Sequence, residues 1–327
     1  MLGEKNLVNV DNFQTSIIKE KGEQGHPGPE FVQDLVHVVW ERDVENSEII
    51  YKRDGAGFDP TTLNLSKDIG SSQRPAIAVS DQNVYVVWSD SVSSEIFYAR
   101  STDGGATFGP TENISNDEGF SSFPAIAALD NKVYVVWRNE PGIDQTGSMD
   151  IFYKRSVDSG ATFGPAENLS INDGSSTRPK VAAFDDNVYV VWQDSTEREI
   201  LYRRSINGGA TFNDVTNLSN NAGLSQTPDI STFGDKVYVV WDDSTPGNEE
   251  IFYRQSSDGG ITFGNTINLS NNGQESASPA IAALDNNVHI VWKDELPPFD
   301  PFGNAEIFYR RSTDSGITFG NTVNLSN

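Results

Sequence analysis

All six tryptophans of this 327-residue chain close one short pattern. It reads His37-Val-Val-Trp40, then Tyr-Val-Val-Trp ending at Trp88, Trp137, Trp192 and Trp241, and last His289-Ile-Val-Trp292. Successive tryptophans lie 48, 49, 55, 49 and 51 residues apart. A period of that size signals stacked copies of one supersecondary unit, none of which buries its apolar surface alone. Upstream of each Trp runs a Pro-led apolar stretch, such as Pro75-Ala-Ile-Ala78 or Pro124-Ala-Ile-Ala127. Downstream, an acidic-Ile-apolar-Tyr segment ends at Tyr51, Tyr98, Tyr153, Tyr202, Tyr253 and Tyr309. A turn, a Thr-Phe pair and an Asn-(Leu/Ile)-Ser close the full units.

Each unit reads as four short strands with no helical stretch, because the runs are rich in β-branched and aromatic residues and bounded by Asn, Asp, Gly and Ser. In Val84–Trp88 the pleat puts Val84, Val86 and Trp88 on one face and Tyr85 and Val87 on the other. Both faces are apolar, so this strand belongs between neighbouring sheets. Four strands at ~50-residue spacing is the pattern of propeller blades. The expectation is therefore an all-β, six-bladed β-propeller of four antiparallel strands per blade over residues 27–327. A superhelical solenoid is the alternative, disfavoured because the strands run out and back. Residues 1–26 stand outside the repeat and are expected to be an N-terminal extension or linker stub. Within them Phe13–Ile18 has the composition of a strand, fit to add an edge to an outer blade.

Between the third and fourth strands lies the most specific motif: Ser101-Thr-Asp-Gly-Gly-Ala-Thr-Phe108, with counterparts at 156–163, 205–212, 256–263 and 312–319. The first unit keeps only Asp54-Gly-Ala-Gly-Phe58. This resembles the Asp-box, or bacterial neuraminidase repeat (BNR), with Phe in place of the final Trp. The turn positions Asp103, Asp158, Asn207, Asp258 and Asp314 are expected to be structural: the side chain bonds nearby backbone and Gly supplies positive φ. The resemblance implies a sialidase-like six-bladed ring with its active site on the face away from the boxes. In sialidases that site combines three arginines, a Tyr–Glu nucleophile pair and an acidic Asp.

Subtraction weighs against such a catalyst. Of ten tyrosines, six end third strands, and Tyr85, Tyr134, Tyr189 and Tyr238 fill the slot before Val-Val-Trp. None is left as a singular nucleophile, and the first unit lacks the Arg-Ile-Pro signature of the family. No catalytic residue is assigned. His37 and His289 occupy that tyrosine slot and are expected to pack, and His26 has no partner at zinc-ligand spacing.

The units differ at the opposite end, where the loops between second and third strands are expected to rim a channel. From Trp to the following Tyr the separations are 11, 10, 16, 10, 12 and 17 residues, so blades three and six carry the long loops. Blade six holds Phe299 and Phe302 among prolines, as a sugar platform or a protein contact. Arg42, Arg74, Arg138 and Arg178 should face the same rim, either clamping a carboxylate or sulfate or pairing with Asp90, Asp194, Asp243 and Asp294. Those recurring Asp residues are also suited to cap loop backbone. Calcium is the sharper alternative there; otherwise no cofactor is expected.

Net charge is −24, which repels nucleic-acid backbones and anionic lipid. Cysteine is absent, so neither disulfides nor thiolate sites exist. No apolar run approaches the ~18 residues of a membrane span, and Met1–Phe13 lacks a signal-peptide core. Asn-x-Ser recurs at Asn64, Asn113, Asn168, Asn217, Asn268 and Asn324, through repeat duplication or as glycan acceptors. The sequence thus reads as a monomeric extracellular or cell-surface module that recognises a glycan or a surface protein. A sialidase-type glycoside hydrolase and a surface-layer spacer are the alternatives.

Overall fold

A computed structural model describes residues 13–17, 36–42, 46–53, 62–67, 70–116, 119–142, 147–171, 174–295 and 305–326. Its strands form six four-stranded antiparallel sheets, each ordered as its strands run along the chain. The architecture is an all-β six-bladed propeller. In blade two the strands are Ser72–Ser80, Asn83–Asp90, Glu95–Ser101 and Glu112–Asn113. Blade one draws its first strand, Phe13–Ile17, from the segment expected to lie outside the repeat; it pairs with Val36–Arg42, Phe13 opposite Trp40. The 1–26 segment thus supplies a strand to the first sheet, while the Pro-led stretch before Val36 falls outside the described residues.

Two compact units divide the chain: residues 1–145 with 154–166, and 146–153 with 167–327. In the second unit the core lies between blades, as two-faced middle strands require. Val237, Val239 and Trp241 pack with Tyr189, Val191, Ile200 and Tyr202 of blade four. Their alternates Tyr238 and Val240 pack with Ile281, Val288, Ile290 and Trp292 of blade six. In the first unit Val84, Val86 and Trp88 join Val39, Ile49 and Tyr51 of blade one. Every middle-strand residue from Val84 to Asp90 is buried, which explains why both pleat faces are apolar.

The Ser-x-Asp turns lock themselves and their neighbours. Ser101 Oγ accepts the Gly105 N–H at 2.8 Å and donates to Asp103 Oδ1 at 2.7 Å. Asp103 then accepts the Thr107 N–H at 2.9 Å and the Thr107 hydroxyl at 2.6 Å. The turns at Asp158, Asp258 and Asp314 repeat these bonds; at Asn207 the amide donates to Thr211 instead. The Thr107 bonds, foremost, hold the Asp103 carboxyl down at about 2.

Each turn also receives a tyrosine from the preceding blade. In the first unit the Tyr98 hydroxyl donates to the Gly160 carbonyl at 3.1 Å, and its ring meets Phe163 edge-on at 5.1 Å. In the second unit Tyr153 engages Gly209 and Phe212, Tyr202 engages Gly260 and Phe263, and Tyr253 engages Gly316 and Phe319 in the same way. Gly260 has φ +76°, and an added Cβ would stand 2.1 Å from the Tyr202 hydroxyl.

His37 and His289 do pack in the tyrosine slot. His37 Nδ1 lies 2.6 Å from the Tyr51 hydroxyl and His289 Nδ1 lies 2.7 Å from that of Tyr309. The Asn-x-Ser repeat has a local role: Asn113, Asn217 and Asn268 each accept a backbone N–H three residues on, at 2.8–2.9 Å.

Two outcomes follow for stability. Gly260→Ala combines strained φ with a clash and should cost more than about 2 kcal/mol in urea unfolding. Gly264→Ala, whose Cβ would meet nothing closer than 3.6 Å, should cost under about 1 kcal/mol. Burial, then Arg53, depresses His37 to about 4 from 6.5, so its contribution is intact above pH 6.5 and lost as pH falls toward 4. His37→Tyr, which restores the slot's usual residue, should flatten the loss of melting temperature between pH 6.5 and 4.

Candidate functional site

The blades differ at two adjoining slots. In each of blades two to six the first strand shifts register at its proline, as between Gln73 and Ala76. Arg74 and Pro75 together stand opposite Trp88; proline cannot donate to the ladder, so a bulge forms there. The residue before proline is left-handed in all five blades: Arg74 (φ 52°), Phe123 (53°), Arg178 (52°), Thr227 (46°) and Ser278 (55°). Such backbone costs of order 1–3 kcal/mol per non-glycine residue and persists where the surroundings enforce it. Across the ladder sits the residue after Trp: Ser89, Arg138, Gln193, Asp242 and Lys293, with Glu41 in blade one. A repeating frame therefore presents non-repeating side chains at one end of its strands.

In the first unit this frame gathers Arg74, Phe123 and Arg138. The Arg74 guanidinium lies 4.0 Å from the Phe123 ring centroid and the Arg138 guanidinium 4.9 Å from it. Both fall within cation–π range of one ring, which fixes two planar, permanently charged forks beside each other. Carboxylates border the pair: the Arg74 N–H donates to Glu41 at 3.4 Å, and Arg138 approaches Glu140 at 3.7 Å. Arg138 is 21% exposed at its side chain.

In the second unit the same slots hold an acidic group. Asp242 is 1% exposed and accepts the Ser278 N–H at 3.2 Å. Burial first, then the neighbouring Glu249, pushes its carboxyl up to about 7; the Ser278 N–H, Arg178 and Gln226 oppose the rise. Gln226 Nε2 donates to Glu249 at 2.7 Å, and burial with Glu275 raises Glu249 as well. The surroundings of Asp242 thus favour its neutral carboxyl over the carboxylate.

The sequence-expected residues separate accordingly. Arg74 and Arg138 come together. Arg42 is held by Glu48 at 2.5 Å, and Arg178 lies in the second unit within the field of Asp242. Phe299, Phe302, His26 and part of the blade-three loop lie outside the described residues. The recurring Asp residues cap backbone: Asp90 accepts from Ser93 at 2.7 Å, Asp194 from Glu197 at 2.8 Å and Asp243 from Thr245 at 2.8 Å. Asp243 and Asp294 also accept their Trp indole N–H groups. Among the described residues no group of three or more His, Cys, Asp or Glu is placed to hold a metal ion. Phe123 and Asp242 escaped the sequence reading. For Phe123 the available signal was its place before proline, an aromatic among Arg, Thr and Ser.

Solved structures share this fold at low identity. A Hadza microbial sialidase aligns over 89% of this chain and 63% of its own, with TM-score 0.52 and 15% identity. A NanB sialidase variant from Streptococcus pneumoniae aligns over 90% and 77%, with TM-score 0.55 and 8% identity. A neuraminidase-like protein of a little yellow-shouldered bat isolate from Guatemala aligns over 88% and 92%, with TM-score 0.56 and 9% identity. This chain spans less than two thirds of the first of these. No family model matches it, and no curated protein does. The fold class is that of the sialidase propellers.

Asp242 gives a signed expectation. Its raised carboxyl favours the fold below pH 3.8 and opposes it increasingly as pH rises through 7. Asp242→Asn should therefore raise the melting temperature at pH 8 and lose that advantage by pH 4, measured by thermal unfolding across the range.

Proposed function

We propose that the protein is an extracellular recognition module that binds an acidic saccharide at the bulged end of its strands, with Arg74 and Arg138 as the carboxylate-binding pair. The observation carrying this reading is the Arg74–Phe123–Arg138 arrangement, two cations held on one ring in a chain of net charge −24. A planar carboxylate, or two oxygens of a sulfate, matches such forks in bidentate fashion. Phe123 adds an apolar surface for sugar C–H groups. The Ser-x-Asp turns, read as Asp-boxes, and the names of the structural neighbours point to saccharides. In this reading Arg42, paired with Glu48, and Arg178, in the second unit, are no part of the clamp. No helix of the described residues is long and apolar enough to cross a membrane.

Calorimetry with galacturonic acid, N-acetylneuraminic acid and neutral galactose tests it. At least one acid sugar should bind about tenfold or more tightly than galactose, and Arg138→Gln should remove that preference. Equal affinity for galacturonic acid and galactose, with no response to N-acetylneuraminic acid, would sink the reading.

A further inference from the structure

The opposite end of the same strands carries a second candidate. In the first unit a pocket of about 380 Å³ opens between successive Ser-x-Asp turns. Tyr98, Arg100, Thr102, Phe108, Pro110 and Glu112 contribute to its wall. None of them takes part in the arginine site: in blade two, Arg100 pairs with Tyr85 near one end of the strand, whereas Arg74 adjoins Ser89 near the other. We propose that this pocket is a separate binding site for a neutral pyranose, gripped through a vicinal diol.

The argument rests on donors and acceptors. A guanidinium only donates and a carboxylate only accepts, whereas a sugar hydroxyl does both. Arg100 and Glu112, both lining the pocket, therefore suit two adjacent hydroxyls, which can accept from one and donate to the other. Their backbones are fixed in the ladder, and the Arg100 side chain has a partner of its own. Arg100 Nη1 donates to the Ser159 carbonyl at 2.9 Å, and Glu112 stands in ladder register with Tyr98. Among the described residues no ion pair joins them, so the pocket's donor and acceptor do not satisfy each other. Phe108 and Pro110 supply the apolar patch for the C–H face of a ring. The volume falls at the small end of the ~300–1,000 Å³ range that takes compact ligands.

The repeat itself provides the variants. The slot of Thr102 holds Ile206 in blade four, 65% exposed in a turn that keeps the bond from serine to the turn residue and the threonine N–H bond. The slot of Glu112 holds Thr216 there. Thr102→Ile and Glu112→Thr thus place side chains that this turn already accommodates elsewhere. Ligand-observed NMR on the full chain, with the methyl pyranosides of galactose, mannose and glucose, reads the outcome. At least one should saturate in the millimolar range, and both variants should raise its Kd about tenfold or more. Thr313→Ile, the same change in the blade-six turn, should leave it unaltered. The proposal is overturned if none of the three saturates below about 50 mM, if Thr102→Ile leaves the Kd unchanged, or if Thr313→Ile weakens binding equally. Because the probes are uncharged, failure here is distinct from failure of the acidic-saccharide site.

Discussion

Everything in this protein depends on one aromatic contact repeated within each unit: a third-strand tyrosine that reaches the next Ser-x-Asp turn. Its hydroxyl takes a glycine carbonyl while its ring meets the turn's phenylalanine edge-on, as Tyr202 does with Gly260 and Phe263. The carbonyl is available only because glycine adopts φ +76° and has no Cβ to collide with the tyrosine. Secondary links run the other way: Arg254 Nη1 donates back to the Leu218 carbonyl and Arg203 Nη1 to that of Leu169. A sheet with two apolar faces has no stability of its own, so these links and the interblade core form the fold together.

That division of labour explains where novelty is placed. One end of the strands is committed to the Ser-x-Asp turns, whose serine, aspartate and threonine satisfy one another. The other end carries a bulge whose backbone is fixed by proline and by ladder register, leaving the side chain open to change. Arginine, phenylalanine, threonine and serine all occupy the bulge at nearly the same φ. A rigid frame with variable tips is the arrangement from which a preorganised site is most readily built. The Arg74–Phe123–Arg138 cluster and the buried Asp242 are two chemically opposite uses of it.

Much of the fold was legible because tryptophan spacing and pleat alternation are local properties. The face assignment from Val84 to Trp88 held in the packing against Val39 and Tyr51. The first strand was not legible in place, since Phe13–Ile17 is separated from Val36 by a segment outside the repeat's spacing. For the site, sequence identified the arginines as a class but not which would meet. Arg42 and Arg138 both follow a Trp, yet they occupy successive positions of a strand, and only Arg138 meets Phe123. Phe123, just ahead of Pro124, went unmarked, because the left-handed bulge that presents it beside Arg74 depends on register across the sheet. Asp242 was hidden beside the recurring Asp243. Its raised carboxyl follows from burial and from Glu249, neither of which the spacing encodes.

The most direct test of this account is a double-mutant cycle between Tyr202 and Phe263, read by urea unfolding. Tyr202→Leu, Phe263→Leu and the double variant isolate the aromatic contact from the separate losses of area. A coupling of about 0.5–1.5 kcal/mol, as expected for an edge-on aromatic pair, is the predicted result. Strict additivity of the two changes would contradict it, and would leave the blades held by apolar burial alone.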